Sequence, residues 1–295
     1  MKTGTFKLKN HLLLSVIIIL VLMVVTLIIS EILIQSFKVT SQTGRLLIIL
    51  GSYSVFCFLI IPALRLPRGK RSFPDYLSDI RLKSDTNIPH IIIISGICYL
   101  FFAGFQLAGS LIYYSFYPGS FVFDFSRHSL LQTGSVNAGI FEEIIFRGVI
   151  LTLLLDRLSE NKTILLSALA FAGIHLLNLL NPNHQGTIWI LAQVTWAFAL
   201  GIMYAYLVIR MNSIIPAMIL HYFINALTGV WLTVPQGQTA ILLLYHLAFF
   251  GIIPAGLVII WVKYRDKQGK FKSVHITENY TNRKVPKEES NGKME

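Results

Sequence analysis

The chain has 295 residues, of which 54% are hydrophobic and only 13% charged, with a mean hydropathy of +0.65. Soluble proteins give about 25% of their residues to charge, so the composition sets aside a soluble enzyme, a secreted disulfide scaffold and a disordered chain, and leaves a polytopic membrane protein. The net charge of +11 does not signal nucleic acid either, because the basic residues gather in short segments between apolar runs without interleaved aromatics.

Crossing about 30 Å of hydrocarbon takes about 20 apolar residues in a helix, and lipid offers no partner to an open strand edge. Apolar stretches over 12–34, 46–64, 90–117, 136–156, 163–180, 187–209, 214–234 and 239–261 therefore predict an all-α polytopic membrane protein of about eight transmembrane helices, within a membrane domain over 1–262. The first stretch is too long for a signal peptide and has no small-residue cleavage site, which predicts an uncleaved span. Cys57 and Cys98 lie inside apolar stretches and form no disulfide or zinc pattern. With the N-terminus inside, the cytoplasmic segments hold 21 lysines and arginines, against Lys38, Arg45 and Arg127 outside. That imbalance predicts a multi-pass protein of the cell membrane with both termini cytoplasmic. The basic loop after the second span reads as a simple topological determinant, with contact to anionic headgroups as the alternative. Residues 263–295 are charged and poor in apolar side chains, which predicts a disordered cytoplasmic tail.

Chemistry is sought where polar side chains sit inside spans, since an ionised group at a helix centre costs about 2.5–3.5 kcal/mol on insertion scales. The fourth span carries Glu142, Glu143 and Arg147. Glu143 and Arg147 are four apart on one helix face and can neutralise each other. Glu142 lies about 100° around the helix from Glu143, with a carboxylate left to act as a base or to join a structural ion cluster. The fifth span contains Phe171 and His175, with Asn178 further on, and the seventh contains His221 and Asn225, four apart on one face. A carboxylate, two imidazoles and an amide on spans 4, 5 and 7 supply what peptide hydrolysis needs: a group that takes a proton from water, one that returns a proton to the leaving amine, and donors for the oxyanion. Gln106, Gln193 and His246 lie in spans without a pattern; Gln193 and Trp196, three apart, allow a shared cavity wall, but packing is the favoured reading. The many Phe and Tyr read mostly as lipid-facing or interfacial.

Glu142-Glu143-x-x-x-Arg147 with Gly148 after it, Phe171-x-x-x-His175, and His221-x-x-x-Asn225 resemble the three ordered motifs of the CAAX protease and bacteriocin-processing (Abi) family, intramembrane glutamate proteases often described as metalloproteases. The resemblance covers about residues 136–230. It implies that Glu142 with His175 activates water, that His221 and Asn225 bind the oxyanion, and that Glu143 and Arg147 hold the site together. An older view of the family places a metal in the site. Glu142, His175 and His221 suit zinc by type and number, but no HExxH-type signature is present, which favours water activated by glutamate without a cofactor. The implied partners are a peptide or membrane-associated protein substrate and membrane lipids, and the compact plan without an added soluble domain fits a bacterial member. A non-catalytic scaffold, immunity or regulatory protein that keeps the polar cluster for helix packing is the alternative. A transporter is the third reading and lacks the repeat symmetry such proteins often show.

Overall fold

Among the described residues of the computed structural model (10–69, 72–83, 87–128, 132–180, 186–227, 230–233 and 239–268) the chain is a bundle of helices with one short strand pair. Helix α1 (Leu12–Ser36) buries the stripe Ser15, Ile19, Met23, Thr26, Ser30 and Ile34 and turns Leu13, Ile17, Val21 and Ile28 outward. Its Ser15, Thr26 and Ser30 hydroxyls donate to carbonyls one turn back, so none needs a partner from lipid. Helix α2 (Gln42–Ala63), capped by Ser41, packs against it.

Helix α3 (Phe73–Asp79) is a short helix inside the basic loop, and hydropathy alone does not reveal it. Its Tyr76 hydroxyl donates to the Cys57 carbonyl at 2.6 Å, and Arg81 just beyond donates to Thr152 Oγ1 at 2.6 Å. Arg68 makes a forked pair with Asp156 at 2.9–3.0 Å. Arg68 and Arg81 of the loop therefore bind protein.

Helix α4 (Ile88–Phe116) leads to strand β1 (Phe121–Phe123) and then to helix α5 (133–155). From residue 143 to 154 every side chain of α5 is buried, so this helix stands at the centre of the bundle. Its turns widen to π geometry over Ala138–Glu142 and Ile144–Ile150, where a plain α-helix was expected. Helices α6 (Glu160–Leu180) and α7 (Thr187–Met211) pack along each other. Helix α8 (Ile215–Leu227) lies between α4 and the first half of α5. Strand β2 (Trp231–Thr233) follows and pairs antiparallel with β1, Val122 opposite Leu232. Helix α9 (Ala240–Lys267) closes the described chain and packs on α7.

Among the described residues six helices are long and apolar enough to span a membrane, where about eight were expected. The difference lies in two places. Helix α5 concentrates Glu142, Glu143 and Arg147 within six residues, too much charge for an apolar span on its own. The expected seventh span over 214–234 is corrected to the 13 residues of α8, because the apolar run past Leu227 goes into β2 instead of a longer helix. The tail boundary also moves: Lys263–Lys267 belong to α9, and residues 269–295 lie outside the described chain.

Close helix approach at the centre depends on Gly139. A Cβ there would stand 2.5 Å from the Tyr222 Cβ and 2.8 Å from its Cα, so α8 can lie this near α5 only beside a glycine. Gly139→Ala is expected to cost about 1–3 kcal/mol by overpacking, read as a lower unfolding midpoint in detergent. Gly104→Ala, where the added Cβ meets open space, is the control and should leave the midpoint unchanged or slightly raised. Equal midpoints for the two variants would remove Gly139 as a packing determinant.

Candidate active site

The π turns of α5 aim Glu143 and Arg147 into the interior, where both are fully buried. Arg147 Nη1 donates to Glu143 Oε1 at 2.9 Å, the pairing expected from their spacing. The same carboxylate oxygen accepts from His221 Nδ1 at 2.8 Å, across 78 positions of sequence. Glu143 therefore bridges the arginine of α5 and the histidine of α8. Its second oxygen, Oε2, has no partner among the described residues.

Aromatic rings enclose this triad. The Arg147 guanidinium lies 4.1 Å from the Phe171 ring centroid and 5.1 Å from that of Tyr204, a cation held between two π faces. Tyr204 also stacks on the His221 imidazole at 5.2 Å, with 25° between the planes, and Phe171 meets the same ring edge-on at 5.5 Å. The phenylalanine of the second motif is thus the wall that holds the residues of the first and third motifs. Tyr204 carries no signal in the sequence, where it reads as one more aromatic of an apolar helix.

Glu142 is the one residue from 141 to 154 that is not buried. It faces a cavity of about 460 Å³ whose wall also contains His175, His221 and Asn225. The four residues proposed from sequence for the chemistry, on α5, α6 and α8, therefore meet around one space. Helix α7, absent from the expected site between spans 4, 5 and 7, completes the wall with Gln193 and Trp196. Tyr53 of α2 is also missed by hydropathy: it is buried against Phe141 and lies within electrostatic reach of Glu142. A second cleft between α4 and α9, lined by Tyr113, Tyr117, Leu244 and Phe249 among others, holds no carboxylate or imidazole and offers no comparable chemistry.

Local hydrogen bonds select the histidine tautomers. His175 Nδ1 lies 3.0 Å from the Phe171 carbonyl, which can only accept, so Nδ1 carries the proton and Nε2 the lone pair of the neutral ring. His221 Nδ1 is held the same way by the Glu143 carboxylate. Its Nε2 donates only when the ring is cationic, and the Glu143 carboxylate is the counter-charge for that state. For zinc, Glu142 and the two Nε2 atoms are suitable donors by type. Among the described residues, however, no group of three His, Cys, Asp or Glu side chains is placed to hold one ion.

Residues 124–227 match the family model of the type II CAAX prenyl endopeptidase Rce1-like proteins. Searches of curated proteins and of solved structures give no match. The matched stretch begins before the expected family core at 136, ends close to 230, and contains all three motifs. Residues 124–227 of this multi-pass membrane protein are thus similar to the type II CAAX prenyl endopeptidase Rce1-like proteins.

Proposed function

We propose that the protein is an intramembrane endopeptidase acting on a peptide or a membrane-associated protein. The observation that supports this most is the meeting of Glu142, His175, His221 and Asn225 around one cavity, supplied by three separate helices. Water bound between the Glu142 carboxylate and His175 Nε2 gives up a proton to Glu142 as its oxygen attacks the scissile carbonyl carbon. The carbonyl oxygen becomes an oxyanion and accepts from cationic His221 Nε2 and from the Asn225 amide. Glu142 then returns the proton to the leaving nitrogen, the C–N bond breaks, and both the carboxylate and the free enzyme are restored. Glu143 keeps His221 oriented and balances its charge, and Arg147 holds Glu143 in place through their ion pair.

In this reading eight helical segments, α5 and α8 included, lie at membrane depth, and α3 lies in the cytoplasmic loop. Both termini are cytoplasmic, lipid surrounds the outer helices, and the cell is bacterial. Nucleic acid has no part in the activity.

The test is incubation of the purified protein in detergent with a mixed peptide library, reading new termini by mass spectrometry with and without a chelator. Cleavage that persists with the chelator is the expected result. Cleavage lost with the chelator and restored by zinc would move the water onto a metal. Silence against the library and against candidate membrane substrates would leave the cluster as a packing device.

A further inference from the structure

The polar wall of the cavity continues beyond the four residues given chemical roles. Asn178 Nδ2 donates to Gln193 Oε1 at 2.9 Å, joining the end of α6 to α7 at a point where both side chains line the cavity. The backbone places Asn178 there. From His175 to Leu180 the helix tightens to 3-10 geometry, in which side chains three apart eclipse one another. Asn178 therefore stands in line with His175 on the cavity side, whereas in an α-helix it would be turned about 60° away.

Each carboxamide offers one carbonyl and two N–H donors. The bond between the two leaves the Asn178 carbonyl to accept and the Gln193 amide group to donate, side by side. That acceptor–donor pattern is the one the edge of a β-strand presents to a neighbouring chain, in which N–H and C=O groups alternate along the main chain. Resting on the protease reading above, we infer that Asn178 and Gln193 bind the main chain of the substrate, holding an extended segment next to Glu142 and His175. Neither residue touches the reacting atoms in this arrangement; they are binding residues. Because they read backbone groups, the enzyme accepts segments of varied side-chain sequence provided they are unfolded at the scissile bond. A helical substrate uses its own N–H and C=O groups internally and must unwind before it is held.

The experiment uses a peptide that the wild-type protein cleaves and a set of analogues in which single backbone amides are replaced by esters, each removing one N–H donor. On wild type, one ester away from the scissile bond is expected to raise KM by about five- to tenfold, the loss of one hydrogen bond, with kcat within about twofold. In Asn178→Ala that ester effect disappears, because its acceptor is gone, and KM for the all-amide peptide rises by a similar factor. Gln193→Ala raises KM in the same way and reports from the neighbouring helix if Asn178→Ala fails to fold. Unchanged KM in the folded variants, or an ester penalty that persists in Asn178→Ala, would make the pair an interhelical tie and overturn the inference while leaving the protease reading intact. A wild type that cleaves no peptide would overturn both.

Discussion

Glu142→Gln is expected to reduce peptide cleavage by about a thousandfold, within the range of about 10²–10⁴ that general acid–base catalysis supplies, with folded yield and unfolding midpoint unchanged. The substitution keeps the shape of the side chain and removes its ability to take a proton. Glu142 is the residue of its helix stretch that faces the cavity, and it takes no part in the buried Glu143–Arg147–His221 cluster, so the fold should not register the change. The check is a pair of kinetic traces beside a pair of melting curves. Cleavage within about tenfold of wild type would remove Glu142 as the base and point to His175 Nε2 instead. A collapsed melting curve would show that Glu142 is part of the packing.

The second large effect concerns stability. Arg147→Ala leaves Glu143 fully buried with a carboxylate that has lost its cation, and breaking such a pair costs about 3–5 kcal/mol. The expected outcome is a steep loss of folded yield in detergent and, in what survives, loss of cleavage. The double variant Glu143→Gln with Arg147→Met removes both charges together and fills the guanidinium's place between Phe171 and Tyr204 with an apolar chain. It should recover most of the yield, since apolar replacement of a whole buried pair is often neutral. It should not recover cleavage, because His221 then lacks the carboxylate that offsets its positive form. A double variant that folds and cleaves normally would reduce the triad to a packing element. Normal folding of Arg147→Ala would show that solvent reaches Glu143.

The long helices α1, α2, α4, α6, α7 and α9 were legible in hydropathy because each turns a broad apolar face outward, as Leu13, Ile17, Leu100 and Leu244 do. Helix α5 was legible for the opposite reason, its misplaced charges. What hydropathy hides is geometry. The run through Ala226, Leu227, Val230 and Trp231 is apolar whether it continues a helix or bends into a strand, and pairing with β1 decides the matter. The π turns of α5 and the 3-10 end of α6 use the same side chains an α-helix would. Helix α3 is seven residues long in a loop whose basic charge dominates its pattern.

The candidate site divides along similar lines. Glu143 and Arg147 were legible as a pair because four residues is a helical spacing. The bond from Glu143 to His221 was not, since it joins residues far apart in the chain. Tyr53 and Tyr204 resemble any aromatic of an apolar span until the fold turns them inward. Gln193 and Trp196 read more readily as packing residues, and the structure places both in the wall of the cavity of Glu142.

The full enclosure of α5 also bears on biosynthesis. A segment with three charges in six residues partitions poorly into lipid by itself, at about 2.5–3.5 kcal/mol for each charge near its centre. Arg147 offsets one carboxylate within the segment itself, and His221, which also bonds Glu143, is made 78 residues later. The enclosure of Glu143 and Arg147 is therefore complete only once α6, α7 and α8 have been synthesised, since Phe171, Tyr204 and His221 supply its walls.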